Sequence, residues 1–245
     1  MRYLVLSDVH ANTDALDAAL GVAATAVYDR VLVLGDLVGY GGDPNGAVNR
    51  VRQLDPLATI RGNHDRVASG IDSAENFNPA ARNAAMWTRS AIDADNLAYL
   101  AQLPEGPLQV DDLVEICHGT PLDEDAYVFD SLDAIRSLND ASRPVCLFGH
   151  THSPLALYVE GRELAYERTD HGTVFALRDC ARYLINGGSI GQPRDSDPRA
   201  AFVIVDTGAR TVEFFRVPYD VAAAQERIRR AGLPESLAAR LALGR

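Results

Sequence analysis

Five of the six histidines in this chain lie in four short motifs: Asp8-Val9-His10, Gly62-Asn63-His64-Asp65, His118-Gly119 and Gly149-His150-Thr151-His152. Gly35-Asp36 falls between the first two. Imidazole nitrogens, carboxylates and an amide oxygen, each just after an apolar run, are donors that can hold two divalent metal ions against a phosphate. A lone histidine is usually a core or surface residue, but five in ordered motifs point to a metallohydrolase.

The elements around the motifs fit that reading. Tyr3–Ser7, Val31–Leu34 and Leu57–Ile60 read as buried strands that end at Asp8, Asp36 and Asn63. Leu113–Cys117 and Pro144–Phe148 deliver His118, His150 and His152. Helices are predicted over Thr13–Val27, from Asp43-Pro44 to Leu54, over Ala80–Leu103 and near Leu132–Leu138, with 66–79 as a loop. From Leu155 onward the period becomes strand-like, and Val221–Ala242 reads as an amphipathic helix. This order predicts an α/β protein of two mixed β-sheets packed as a sandwich flanked by helices, in one domain over 1–245. Residues 66–104 and 121–143 leave ligand-bearing strands and are expected to form the site's rim. Each candidate ligand lies past the carboxyl end of a strand, where open α/β sheets place their sites.

Composition narrows the partners. The net charge is −11 and all 23 basic residues are arginine, with no long basic cluster, so stable nucleic-acid binding is not expected. No apolar run reaches the roughly 18 residues of a membrane helix. The chain opens directly on a strand without a signal sequence, so a cytoplasmic protein with no membrane partner is expected. Three cysteines, Cys117, Cys146 and Cys180, are expected to be reduced thiols.

The motifs Ser7-Asp8-Val9-His10, Gly35-Asp36, Gly62-Asn63-His64-Asp65, His118-Gly119 and Gly149-His150-Thr151-His152 together resemble the calcineurin-like metallophosphoesterase family. The resemblance implies that Asp8, His10 and His152 bind one metal, that Asn63, His118 and His150 bind a second, and that Asp36 bridges both. It implies two divalent ions, Mn2+ first, with Fe, Zn2+ or Ni2+ as alternatives. It also implies attack on a small phosphate ester by a metal-bridging hydroxide, with His64 as general acid. Asp65 would orient His64 or serve as a turn carboxylate.

Departures from the family's branches sharpen the expectation. Ala11, Gly39 and Tyr40 replace residues of the Ser/Thr protein phosphatase motifs, including the aspartate that pairs with the acid histidine and a phosphate-clamping arginine. The paired histidines of Gly149–His152 and the segment Asn186–Arg194 resemble small prokaryotic members instead. A small phosphodiester, of cyclic-nucleotide or dinucleotide type, is the leading substrate expectation. Phosphomonoesterase activity, protein phosphatase included, and a non-catalytic scaffold are the alternatives. Asn12, Tyr40, Arg66 and Arg194 are candidate substrate contacts, with helix capping as the competing role for Asn12 and core packing for Tyr40. Trp87, Tyr99, Tyr127 and Phe129 are candidates to line a base or leaving-group pocket, with core packing as the favoured role for the helical Trp87 and Tyr99.

Overall fold

Apolar runs that alternate between two buried faces make a strand the centre of a three-layer stack, and the N-terminal strand shows this directly. The computed structural model describes residues 1–245. In it Leu4 and Leu6 of β1 (Arg2–Leu6) pack toward helices, while Tyr3 and Val5 pack between two sheets. The chain continues through α1 (Thr13–Ala23), β2 (Arg30–Val33), α2 (Pro44–Gln53), β3 (Ala58–Thr59), α3 (Asn63–Ser69), α4 (Pro79–Ala91) and α5 (Ala94–Gln102). Next come β4 (Leu108–Gln109), β5 (Val114–Ile116), α6 (Ser131–Asp140) and β6 (Val145–Phe148). The later strands are β7 (Leu155–Glu160), β8 (Glu163–Tyr166), β9 (Val174–Ala176), β10 (Ala181–Asn186), β11 (Ala200–Asp206) and β12 (Thr211–Val217). Helices α7 (Val221–Arg230) and α8 (Glu235–Leu241) close the chain.

Two mixed six-stranded sheets result, in the orders β3-β2-β1-β11-β12-β9 and β4-β5-β6-β10-β7-β8. The late strands do not form a separate antiparallel sheet but complete both. Each sheet thus has a parallel half, β3-β2-β1 in one and β5-β6-β10 in the other. Between the sheets lies a core that includes Val5, Leu32, Ile60, Ile116, Leu147, Tyr183 and Phe214. A second core joins the first sheet to α1, α2 and α5 through residues such as Leu16, Val48, Leu100 and Phe202. Helix α6 covers the outer face of the second sheet with Ala134 and Leu138. No helix is long and apolar enough to cross a membrane.

Local chemistry sets the helix ends. Asn12, Asp43, Asn78, Asp93, Asp130 and Asp220 each accept a first-turn amide hydrogen of the helix that follows. Two predicted spans are corrected. Residues 66–69, read as loop, belong to α3, because Asp65 accepts the Gly62 amide at 3.0 Å and nucleates a turn that Gly70 ends at φ 83°. The predicted helix over 221–242 breaks in two, since Gly232 is left-handed at φ 70° and Pro234 cannot continue the ladder. Ile228, Leu237 and Leu241 of its two halves pack around Tyr40, so this segment covers core.

Phe202 of β11 is 1% exposed and stacks on Phe215 at 4.6 Å. Replacing it by Ala should cost about 3–5 kcal/mol through the cavity it leaves. Urea unfolding should show a lower midpoint with an unchanged slope.

Candidate metal centre

The parallel halves of both sheets deliver their carboxyl ends to one place. Loops after β1 and β2 carry Asp8, His10 and Asp36, and the first turn of α3, after β3, carries Asn63 and His64. Loops after β5 and β6 carry His118, His150 and His152. All eight side chains are buried, with Asn63 the most exposed at 9%. Ligand atoms of Asp8, His10, Asp36 and His152 lie within 4.8 Å of one another, as do those of Asp36, His118 and His150. Asp36 belongs to both groups, and its Oδ2 lies 3.5 Å from His10 Nε2 and 3.4 Å from His118 Nε2. Asn63 Oδ1 joins the second group, 3.2 Å from His118 Nε2.

The hydrogen bonds around the rings decide which nitrogen is free. A backbone carbonyl can only accept, so Nδ1 of His10 donates to Val38 (3.0 Å), that of His118 to Leu34 (2.7 Å) and that of His152 to Gln192 (2.6 Å). Their Nε2 lone pairs then point into the centre. His150 is turned over: its Nε2 donates to the Asp125 carbonyl at 3.1 Å, which leaves Nδ1 facing inward. The Nε2 atoms of His10 and His152 therefore face each other at 3.1 Å, two lone pairs without a proton between them. Burial holds both rings well below the usual histidine range, so neither supplies that proton.

Converging acceptors of this kind are the donor set for a cation, and two such sets share one carboxylate. The charge balance agrees. His150 is pushed down to about 3 by burial. Burial also opposes a charged His118, but the Asp36 carboxylate outweighs it and raises this ring to about 10. A positive charge is therefore favoured beside Asp36, where a metal would replace the proton.

The loops are held by one another. The amides of Asp8, His10 and Ala11 donate to Gly35, Asp36 and Leu37, and those of Ile190 and Gly191 donate to Ser7 and Asp8. Asp8 accepts from Ser7 Oγ at 2.6 Å and from the His150 amide at 3.1 Å, which ties the two sheets together at the site. Seven of the ten non-glycine residues with positive φ are here: Asp8, His10, Ala11, Asp36, Tyr40, His150 and His152. A left-handed conformation costs about 1–2 kcal/mol per residue, so this bracing sustains local strain at the centre.

The remaining candidates divide. His64 stacks against Tyr40 at 4.3 Å and Phe77 at 4.6 Å and lines a cleft of about 270 Å³ with Asn63, Tyr127 and His150. Its Nδ1 is buried without a hydrogen-bond partner, and burial lowers the ring to about 4. Gly39, φ 86°, explains the missing partner: a Cβ there would come within 2.3 Å of Nδ1, so this backbone leaves no room for a carboxylate. Asp65 does not orient His64; its oxygens accept from the amides of Gly62 and Val38 at 3.0 and 3.2 Å. Asn12 is a helix cap, accepting from the Ala15 amide and donating to the Gly191 carbonyl, so it does not face the metals' cleft. Arg66 lines the cleft with His64 but is tied into ion pairs with Glu124, Asp125 and Asp72. Tyr40 packs on His10 at 4.7 Å, and Arg194 Nη2 donates to the Tyr40 hydroxyl at 3.4 Å.

Glu124 and Asp125 had no signature in the sequence beyond the acidity of their loop. Glu124 is buried and pairs with both Arg61 and Arg66, fixing the strap whose Asp125 carbonyl sets the His150 ring. Gln192 acts on His152 through a backbone carbonyl, and no side-chain pattern could have announced that contact.

The sequence pattern of the calcineurin-like phosphoesterase superfamily domain matches residues 1–210. The chain belongs to that family, which implies a phosphoester hydrolase, and its Asp/His clusters mark a dinuclear divalent-metal site. It is 35% identical to an uncharacterized protein of Methanocaldococcus jannaschii over 98% of this chain and 97% of that one. The crystal structure of a metallophosphoesterase from Sphaerobacter thermophilus superposes with a TM-score of 0.86 at 40% identity, covering 100% of this chain and 99% of the other. A hypothetical protein of Pyrococcus horikoshii shares the fold, with a TM-score of 0.82 at 20% identity over 100% and 98% of the two chains.

Two measurements check the centre. Mn2+ at 100–1,000 times its dissociation constant should stabilise the fold by roughly 3–4 kcal/mol, read as a rise in melting temperature that chelator reverses. Glu124→Ala should weaken binding of one of two ions by about 10–100-fold in a metal titration, because His150 loses its fixed orientation.

Proposed function

We propose that this protein hydrolyses small phosphodiesters with two divalent ions, Mn2+ being the first choice for mixed nitrogen and oxygen donors. Asp8, His10 and His152 would hold one ion, Asn63, His118 and His150 the other, and Asp36 both. The observation that carries this reading is the shared Asp36 carboxylate between two inward-facing acceptor sets, beside a cleft that Asn63 and His150 line. When bound, the ions supply an activated water as nucleophile and neutralise charge on the phosphate oxygens.

The chain's own groups do the rest. Burial favours the neutral His64 ring, so the acid role requires the ring to take up a proton as the anionic substrate binds. With Nδ1 enclosed, Nε2 is the nitrogen that would then pass its proton to the departing alkoxide. Tyr40 and Phe77 fix the plane of that ring. Overall, the water oxygen bonds to phosphorus, the P–O bond to the alcohol breaks, and the alkoxide leaves with a proton.

The charge around the cleft supports a diester over a monoester. A monoester dianion would need more positive charge than a diester monoanion. Arg66, the guanidinium that lines the cleft, is paired with Glu124, Asp125 and Asp72, and Asp72 and Asp125 line the cleft beside it, so its charge is already balanced. Within the expected 66–104 and 121–143, we assign the rim to Arg66 and to residues 72–81 and 125–130, since α5 packs into the first core and α6 onto the second sheet.

Bis-p-nitrophenyl phosphate should be cleaved faster than p-nitrophenyl phosphate in Mn2+, and chelator should stop both. His64→Ala should lower kcat by about 10²–10⁴-fold while metal content stays unchanged. Monoester preference would contradict the diester reading, and full activity of His64→Ala would remove His64 as the acid.

A further inference from the structure

A second cleft, about 420 Å³, shares Tyr127 as a wall with the cleft lined by His64. Its walls include Tyr127, Phe129, Leu155, Tyr166 and Arg194. Thr151, between the ligand candidates His150 and His152 in sequence, also lines it, so the cleft adjoins the loop that carries them. Tyr127 lies over the His150 ring at 4.0 Å, and Phe129 stacks on Tyr127 at 5.1 Å with only 17° between planes. A row of aromatic faces thus leads outward from a metal-site histidine.

That row ends without a partner. Phe129 is 81% exposed and Tyr166 57%, large apolar surfaces left to solvent beside a concave site in a strongly acidic chain. Packing of the fold does not require Phe129, since it belongs to none of the hydrophobic cores. The polar wall is largely occupied: Thr151 Oγ1 accepts from Asn186, and Asp130 Oδ1 accepts two amides at the start of α6. Arg194, whose Nε is left without a partner, is the charged donor of the wall, and flat aromatic faces remain to bind the plane of a ligand.

We propose that this cleft is a nucleobase subsite, in which Phe129 and Tyr166 take the base of the nucleoside that stays esterified to the phosphate. The inference rests on the phosphodiester reading for its chemistry. His64 lines the other cleft, which therefore takes the alcohol that receives the proton. The retained nucleoside then lies on the Arg194 side, where the guanidinium adjoins both the cleft and Tyr40. Recognition is by stacking, which every base offers, so the subsite discriminates nucleosides from small alkyl groups more than one base from another.

Calorimetric titration of the Mn2+-loaded, full-length protein with the 5′-methylenephosphonates of adenosine and of ribose tests this, since their P–C bonds cannot be hydrolysed. The adenosine compound should bind on the order of tenfold tighter, as expected from one base–aromatic stack. Phe129→Ala should bring the two affinities together, whereas Phe129→Trp and the exposed control Leu122→Ala should keep them apart. Equal affinities in the wild type, or a base preference that survives Phe129→Ala, would overturn the subsite. Equal affinities in a protein that still cleaves nitrophenyl diesters would leave the hydrolytic reading standing. A base preference lost in Phe129→Ala, in a protein that cleaves no ester, would keep the subsite and remove that reading.

Discussion

Hydrogen-bond acceptors that face one another in a dry interior need a positive charge between them, and this constraint organises the structure. Three imidazoles are committed by backbone carbonyls to present lone pairs inward, and the Asp36 carboxylate stands between two of them. In an apolar environment such an arrangement is costly unless cations bind there. The centre is thus specified as much by the carbonyls of Leu34, Val38, Gln192 and Asp125 as by the side chains that would touch metal.

The fold meets this constraint by stacking the parallel halves of two mixed sheets so that their carboxyl ends coincide. Strong packing between the sheets, through residues such as Val5, Ile60, Ile116 and Leu147, holds the loops in register. Asp8 then joins the layers, since its backbone pairs with the loop after β2 and the loop after β10, and its carboxylate accepts from His150. The cluster of left-handed residues is the local cost of turning so many side chains toward one point.

Much of this was legible in the sequence. Strands β1, β2, β5 and β6 show as short apolar runs, and their ends mark the loops that bear Asp8, Asp36, His118 and His150. The layered α/β architecture follows from their alternation with helices. What pattern could not give was pairing across the chain. Nothing in the run of β11 says that it lies beside β1, and nothing in Leu155–Glu160 assigns β7 to the other sheet. Likewise, type and position suggested Asp65 and Arg66 as functional groups. The fold instead uses the first to staple a helix start and the second to hold an acidic strap. A side chain's direction depends on its partners, and those partners are 27 residues away for Asp65 and Val38 and 58 for Arg66 and Glu124.

The acidic strap also links the centre to its surroundings. Glu124 pairs with Arg61 and with the cleft residue Arg66, Asp125 fixes His150, and Tyr127 carries the aromatic row outward. The proposed chemistry rests on Asp36 serving two ions at once. Anomalous diffraction from crystals equilibrated with Mn2+ measures that directly. Two peaks, each against an oxygen of Asp36 and one of the two histidine sets, are predicted; a single peak, or a pair that does not share Asp36, would contradict the account.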